Sequence, residues 1–298
     1  MYFICYLNTE GGTNFRGRKR IALKVGQLTK ILSDADPSML EAILGLYLEH
    51  NMSKIFSNLS PFFQSTSTVF LIDNRAVISE ILTNSSNYAR ALELLNDVEN
   101  SYATTYLDLM YNREDTDEKV FKDFFDELGI NLELVENNGV RSPYVRMWND
   151  VLLPLSQAPS DVRESLSIAL ALGSNRMQVV YIEEPEVHLH PKAQRIMAKM
   201  IARAVNRGKY VILTTHSDCF LSSVSNLIAL SSRKEKAESL SFSRDEILDP
   251  ERVAVHFVKK EGKFAKVENV KVTDEGICEE EFVKVAEELL DERGEIIG

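Results

Sequence analysis

The 298-residue chain contains only three cysteines, Cys5, Cys219 and Cys278, and no two of them form a C-x-x-C pair. That argues against a disulfide framework and a structural zinc site, and it fits a reducing cytoplasm. Long hydrophobic runs are lacking too. The opening MYFICYL is seven residues long, and no run approaches the roughly 18 needed to span a bilayer, so no membrane insertion is expected. There is no internal repeat or low-complexity segment. Basic residues are outnumbered, 34 Lys and Arg against 45 Asp and Glu, and Arg16, Arg18, Lys19 and Arg20 form the one basic cluster. Four charges beside glycines are more simply a solvated hairpin turn than a nucleic-acid contact, so nucleic acid as a partner has no further support.

What is present is enough apolar residue for a globular core. At 44% hydrophobic content the chain can form one large α/β domain, or a core with a smaller lobe. Net charge is −11, but residues 274–298 hold ten acidic groups against Lys284 and Arg293, which leaves the body nearly neutral. Phe282, Val285, Ala286, Leu289 and Leu290 recur there at helical spacing, which predicts an acidic docking helix.

In the first half, MYFICYL and RIALKV read as strands around the turn TEGG, although Ile21, Val25, Leu28 and Leu32 also fit a helix. Asp36-Pro37 can cap and start a helix carrying Leu40, Ile43, Leu44 and Tyr47. VFLID at 69–73 is a strand. Helical patterns follow through Tyr88, Leu92 and Leu95, and again from Val120 to Leu128 before Gly129. Residues 1–150 therefore form a mixed α/β lobe without visible chemistry.

From about 151 the order becomes helix, strand, helix, strand, with Gly173 and Gly208 ending the two helices. VVYI and VIL are continuous apolar runs, as expected for parallel strands covered on both faces, and Ile196, Met197, Met200 and Ile201 give the crossover helix its buried stripe. VAVHFV and AKVENVKV flank KKEGK and predict a peripheral hairpin before the acidic helix.

The chemistry gathers where the two parallel strands end. VVYIEEPEVHLHPKAQ, 179–194, closes an apolar strand on paired carboxylates, a costly choice unless a site needs them. Adjacent strand residues point oppositely, so one carboxylate can face a cation while the next faces a water that must lose a proton. The second strand gives way to Thr214, Thr215, His216 and Ser217, so two strand ends can deliver Glu183, Glu184 and His216 to one crevice. Glu186 could instead serve only to cap the following helix. A rival reading takes His188 and His190, with Glu186, His216 and His256, as a metallohydrolase site, but the immediate Pro191 and helix disfavour it.

These motifs, in this order, resemble the C-terminal half of an ABC-type ATPase, nearest the ABC/SMC-like AAA-family ATPases related to the OLD family. The resemblance covers roughly residues 145–270. It implies a P-loop NTPase-like α/β fold, an ABC ATPase head with a largely parallel sheet, helices on both faces, a mixed α+β lobe and a C-terminal β-hairpin and helix. Residues 151–298 would be the core. By resemblance, IEEPEVHLHP is the Walker B motif, Glu183 holds Mg²⁺ through water, and Glu184 is the general base. Val187 to Pro191 would be the D-loop and His216 the switch histidine on the γ-phosphate of ATP. APSDVRESLSIALAL looks like a diverged signature motif whose Ser160 reaches a nucleotide bound by a second head, in a homodimer or heterodimer. Arg163 and His190 complete the expected nucleotide contacts.

Two departures qualify the resemblance. Asp161 stands where a glycine usually follows the signature serine, and its charge opposes phosphate unless Arg163 compensates. The phosphate loop G-x-x-x-x-G-K-[ST] is missing. The nearest match, GTNFRGRK from Gly12, offers Arg18 for the lysine and Lys19 for the metal-binding hydroxyl. The expectation is a fragment or an incorrectly placed start, with a half-ATPase relying on another polypeptide as the alternative and a silent interaction module as the runner-up. As numbered, the chain should bind ATP poorly by itself.

Overall fold

The computed structural model of the chain describes residues 2–6, 67–83, 95–137 and 140–298, all within one compact unit. The basic cluster at 16–20, the Gly12 near-match, RIALKV and the helix expected after Asp36-Pro37 lie outside them, as do Tyr88 and Leu92.

A six-stranded sheet organises the unit. It contains β1 (Tyr2–Tyr6), β2 (Ser67–Leu71), β6 (Met177–Glu183), β7 (Tyr210–Thr215), β8 (Val253–Glu261) and β9 (Phe264–Val270), in the order β2-β6-β7-β1-β8-β9. β2, β6 and β7 are parallel, and β6 passes to β7 through the helix α5 (Pro191–Asn206), as the helix-strand alternation predicts. Beyond β7 the sheet turns antiparallel. β1 pairs with β7 on one side and β8 on the other. The predicted hairpin β8–β9 forms, turning at Gly262 with φ +63°, and it joins the main sheet through β1, with the largely exposed β9 as the edge strand.

Val179 and Val180, pointing to opposite faces of β6, are both fully buried. Cover is less complete one row on, where Phe70 stacks on Tyr181 at 4.6 Å between ring centroids and stays 44% exposed. The remaining α-helices among the described residues are α1 (Arg75–Thr83), α2 (Asp97–Tyr111), α3 (Lys122–Leu128), α4 (Ser160–Gly173), α6 (Asp218–Ala229) and α7 (Glu281–Ile297). α4 and α5 bury long apolar faces, including Ile168, Ala169, Met197, Met200 and Ile201, in one core shared with Tyr102, Tyr106 and Phe124 of α2 and α3. Gly129 ends α3 in the left-handed conformation at φ +64°, the C-terminal role its position predicts.

Residues 130–154 form a separate antiparallel sheet, β3 (Ile130–Asn137), β4 (Val140–Met147) and β5 (Leu152–Pro154), which the sequence reading did not anticipate. Two short strands, β10 (Val272–Thr273) and β11 (Gly276–Ile277), lead into α7. α7 is helical as its periodicity predicts. Phe282 packs against the core, but Val285, Leu289 and Leu290 remain at least half exposed.

Candidate active site

β6 and β7 run side by side with Ile182 opposite Leu213 and Glu183 opposite Thr214, so their carboxyl ends finish level. Beyond this point the chain bends sharply. The Glu184 amide still donates to the Thr214 carbonyl at 3.1 Å, but Glu184 itself takes φ +44°, and His188 takes φ +61°. Left-handed backbone at a non-glycine residue costs about 1–2 kcal/mol. It persists where the surroundings impose it, commonly at functional sites.

The bend brings Glu184 to the histidine on the neighbouring strand end. Glu184 Oε1 lies 3.7 Å from His216 Nε2, with the two side chains 37% and 57% exposed. Both reach solvent while their backbones are fixed. Glu186, only 8% exposed, fixes the second: its Oε1 accepts from the Thr215 hydroxyl at 2.7 Å and the His216 amide at 2.8 Å, while its Oε2 is buried with no hydrogen-bond partner among the described residues. Glu186 therefore does not cap α5. His190 does so, its Nδ1 accepting from the Lys192 amide at 3.3 Å. Ser217 caps α6 through the Phe220 amide at 3.1 Å and donates to Gln194 Oε1 at 2.6 Å, tying the end of β7 to α5.

Glu183 is exposed, and its Oε2 accepts from the Asp73 amide at 3.2 Å, because β2 ends beside β6 as β7 does on the other side. Asp73 is visible in sequence as the acidic end of VFLID, but nothing local to it points to this site. Behind the strand ends lies a buried ion pair, Arg75 with Glu164 at 3.3 Å, that no sequence pattern announced. Its members are 89 residues apart. Burial pushes the Glu164 carboxyl up, opposed by the Arg75 charge, and burial lowers the Arg75 guanidinium, opposed chiefly by Glu164.

Ser160 is the exposed first residue of α4. Pro159 occupies the N-cap with no side-chain cap bond, so Ser160 does not cap this helix as its position suggested. Arg163 turns back toward α1, donating to Glu80 Oε2 at 2.5 Å and to the Ala76 carbonyl at 3.4 Å. His256 Nδ1 sits 2.9 Å from Asn269 Oδ1 on the β8–β9 pair. Among the described residues no group of three or more His, Cys, Asp or Glu converges as a metal-holding set, so the histidine-based hydrolase site does not assemble there. Nor, among them, is any helix long and apolar enough to cross a membrane.

Comparison with known proteins matches residues 40–221 to a family model described as AAA ATPase domain. Pleiotropic drug resistance protein 1 of Nicotiana tabacum is 31% identical over 126 residues, 41% of this chain and 8% of that protein. ABC transporter G family member 36 of Oryza sativa is 28% identical over the same length and share. The chain thus spans 8% of the length of these relatives. Among solved structures, one described as "Structural biochemistry of ATP-driven dimerization and DNA stimulated activation of SMC ATPases" aligns at TM-score 0.40 and 11% identity, covering 64% of this chain and 96% of that one. An Smc head domain from Pyrococcus furiosus, bound to the C-terminal domain of ScpA, aligns at TM-score 0.36 and 12% identity, covering 72% and 50%.

Proposed function

The chain belongs to the AAA ATPase domain family, and from that premise we propose an ABC/SMC-like ATPase head that hydrolyses ATP to ADP and phosphate once a phosphate loop is supplied. The observation that carries this is the Glu184–His216 approach of 3.7 Å across two parallel strand ends, with Glu184 held in a strained backbone conformation. Glu184 is the general base. Its carboxylate takes a proton from a water whose oxygen attacks the γ-phosphorus as the bond to the β,γ-bridging oxygen breaks. His216 donates to the γ-phosphate.

Glu183 suits Mg²⁺. It offers an exposed oxygen ligand on a strand end, steadied by the Asp73 amide, and magnesium ordinarily combines one or two carboxylates with water and substrate phosphate oxygens. When bound with nucleotide, the ion neutralises phosphate charge. Ser160, Arg163 and His190 are assigned to a nucleotide shared with a partner head, in a homodimer or heterodimer. Ser160 stands exposed at a helix N-terminus, where backbone amides favour anions, whereas Arg163 and His190 must exchange their bonds to Glu80 and Lys192. The reading includes a cytoplasmic location, but not a separately moving lobe at 1–150, because β1 and β2 belong to the same sheet as β6 and β7.

The missing G-x-x-x-x-G-K-[ST] favours one second reading, a silent ATPase-fold module that docks partners. Turnover measured on the chain and on an upstream-extended form carrying a phosphate loop separates the two. The ATPase reading predicts turnover in the loop-bearing form alone, abolished by Glu184→Gln. No turnover in either form contradicts it and supports the silent module.

A further inference from the structure

We propose that Arg75 is the positioning residue that locks Glu184 into the conformation facing His216, a role that deepens the ATPase reading and rests on it for its catalytic meaning. Arg75 is the first residue of α1, just past β2, and its side chain is completely buried. Its guanidinium grips backbone on both neighbouring elements. Nη1 donates to the Ile72 carbonyl at 2.5 Å and the Glu183 carbonyl at 2.6 Å, and Nη2 donates to the Glu184 carbonyl at 3.0 Å. Nε reaches the Glu164 carbonyl at 3.1 Å, and the Glu164 carboxylate supplies the counter-charge at 3.3 Å.

Glu184 is thereby held from both sides. Its amide is tied to Thr214 on β7, and its carbonyl is tied to Arg75, so rotation out of the positive-φ conformation breaks a bond at either end. With the main chain fixed, the carboxylate projects to His216. The arrangement needs a planar fork of N–H groups, because the short ammonium of lysine cannot reach the Ile72, Glu183, Glu184 and Glu164 acceptors together. It also joins three elements: the end of β2, the end of β6 and the α4 helix that begins at Ser160.

Amide hydrogen exchange on the full chain tests this without nucleotide. The Val187 amide donates to the Glu184 carbonyl at 3.2 Å, so in Arg75→Lys the amides of Glu184 and Val187 should exchange at least about tenfold faster than in the wild-type chain, while those of Val211 to Leu213 stay within about twofold. Should Arg75→Lys fail to fold, Glu164→Gln keeps the arginine, removes its counter-charge and should speed the same two amides by about threefold or more. Unchanged exchange at Glu184 and Val187 in a folded variant would overturn the proposal. In the loop-bearing form Arg75→Lys should lower kcat by about tenfold or more with KM within about twofold, the signature of a misplaced base and not of lost binding. Faster exchange at Glu184 combined with a wild-type protein that never turns over would support the clamp and refute the ATPase reading, so the two fail separately.

Discussion

The two ends of the β6–β7 pair solve opposite problems with similar parts. At the carboxyl end Glu183, Glu184 and His216 reach solvent, the backbone turns left-handed at Glu184 and His188, and one oxygen of Glu186 is buried without a partner among the described residues. At the amino end the left-handed position falls on a glycine, Gly208 at φ +95°, which adopts it without steric cost. Each end also has a buried cation gripping main-chain carbonyls. Arg75 serves the carboxyl end beside a carboxylate. Lys209 serves the amino end through the Ser174 carbonyl at 2.5 Å and the Met177 carbonyl, with no salt bridge among the described residues. The left-handed conformation thus falls on a carboxylate residue, Glu184, at one end and on a glycine at the other.

The strongest way to sharpen this comparison is to remove the carboxylate while keeping the backbone. In the loop-bearing form Glu184→Gln should lower turnover by about a hundredfold or more, with the midpoint of thermal unfolding unchanged. Glu184→Gly should be just as inactive yet as stable as wild type or more so, by up to about 1 kcal/mol in denaturant unfolding, because glycine relieves the left-handed strain. Clear destabilisation by glycine would break the claim that this end stores strain.

The amino end should answer to pH instead. Burial pushes the Lys209 ammonium down to about 8 from its ordinary 10.5. Below pH 8 both folded and unfolded chains carry the proton and the folded state bears the full burial cost. Between pH 8 and 10.5 the folded chain has released a proton that the unfolded chain keeps, so stability rises with pH, by up to about 3 kcal/mol in all. Tyr102 and Tyr106 work against this above pH 10, because burial pushes their phenols up and the folded chain then retains protons that the unfolded one loses. The rise is therefore cleanest from pH 8 to 10, measured by denaturant unfolding, and it should vanish in Lys209→Met.

Glu186→Ala should cost about 1–3 kcal/mol, since the Thr215 hydroxyl and the His216 amide lose their shared acceptor, and it should lower turnover by freeing His216. Glu186→Gln keeps an acceptor and should fall between that variant and wild type in both measurements. The smallest effect belongs to Glu80→Ala. Its partly exposed pair with Arg163 should contribute no more than about 1 kcal/mol to thermal stability.

The placement of Glu183, Glu184 and His216 at neighbouring strand ends was legible because local signals converged. Continuous apolar runs marked β6 and β7, helical spacing marked α5 between them, and the carboxylates and histidine fell where both runs ended. What the sequence could not disclose depends on pairing across long separations. Arg75 touches Glu183 from 108 residues away, and nothing in DNRAV distinguishes it from a surface arginine. β1 reads as a strand, but its place between β7 and β8, which makes the C-terminal hairpin part of the main sheet, has no local signature. Glu186 and Ser160 both sit where a helix cap is plausible. Glu186 was captured by the end of β7, and at Ser160 the helix begins one residue earlier than a cap requires.

In the proposed reaction Glu184 and His216 flank the terminal phosphoryl group of a bound nucleotide. A crystal structure of the loop-bearing protein with Mg²⁺ and a non-hydrolysable ATP analogue tests it most directly. The γ-phosphate should lie within hydrogen-bonding distance of His216, with a water between it and Glu184. A nucleotide seated elsewhere, or a Glu184 carboxylate turned away from the phosphate, would contradict it.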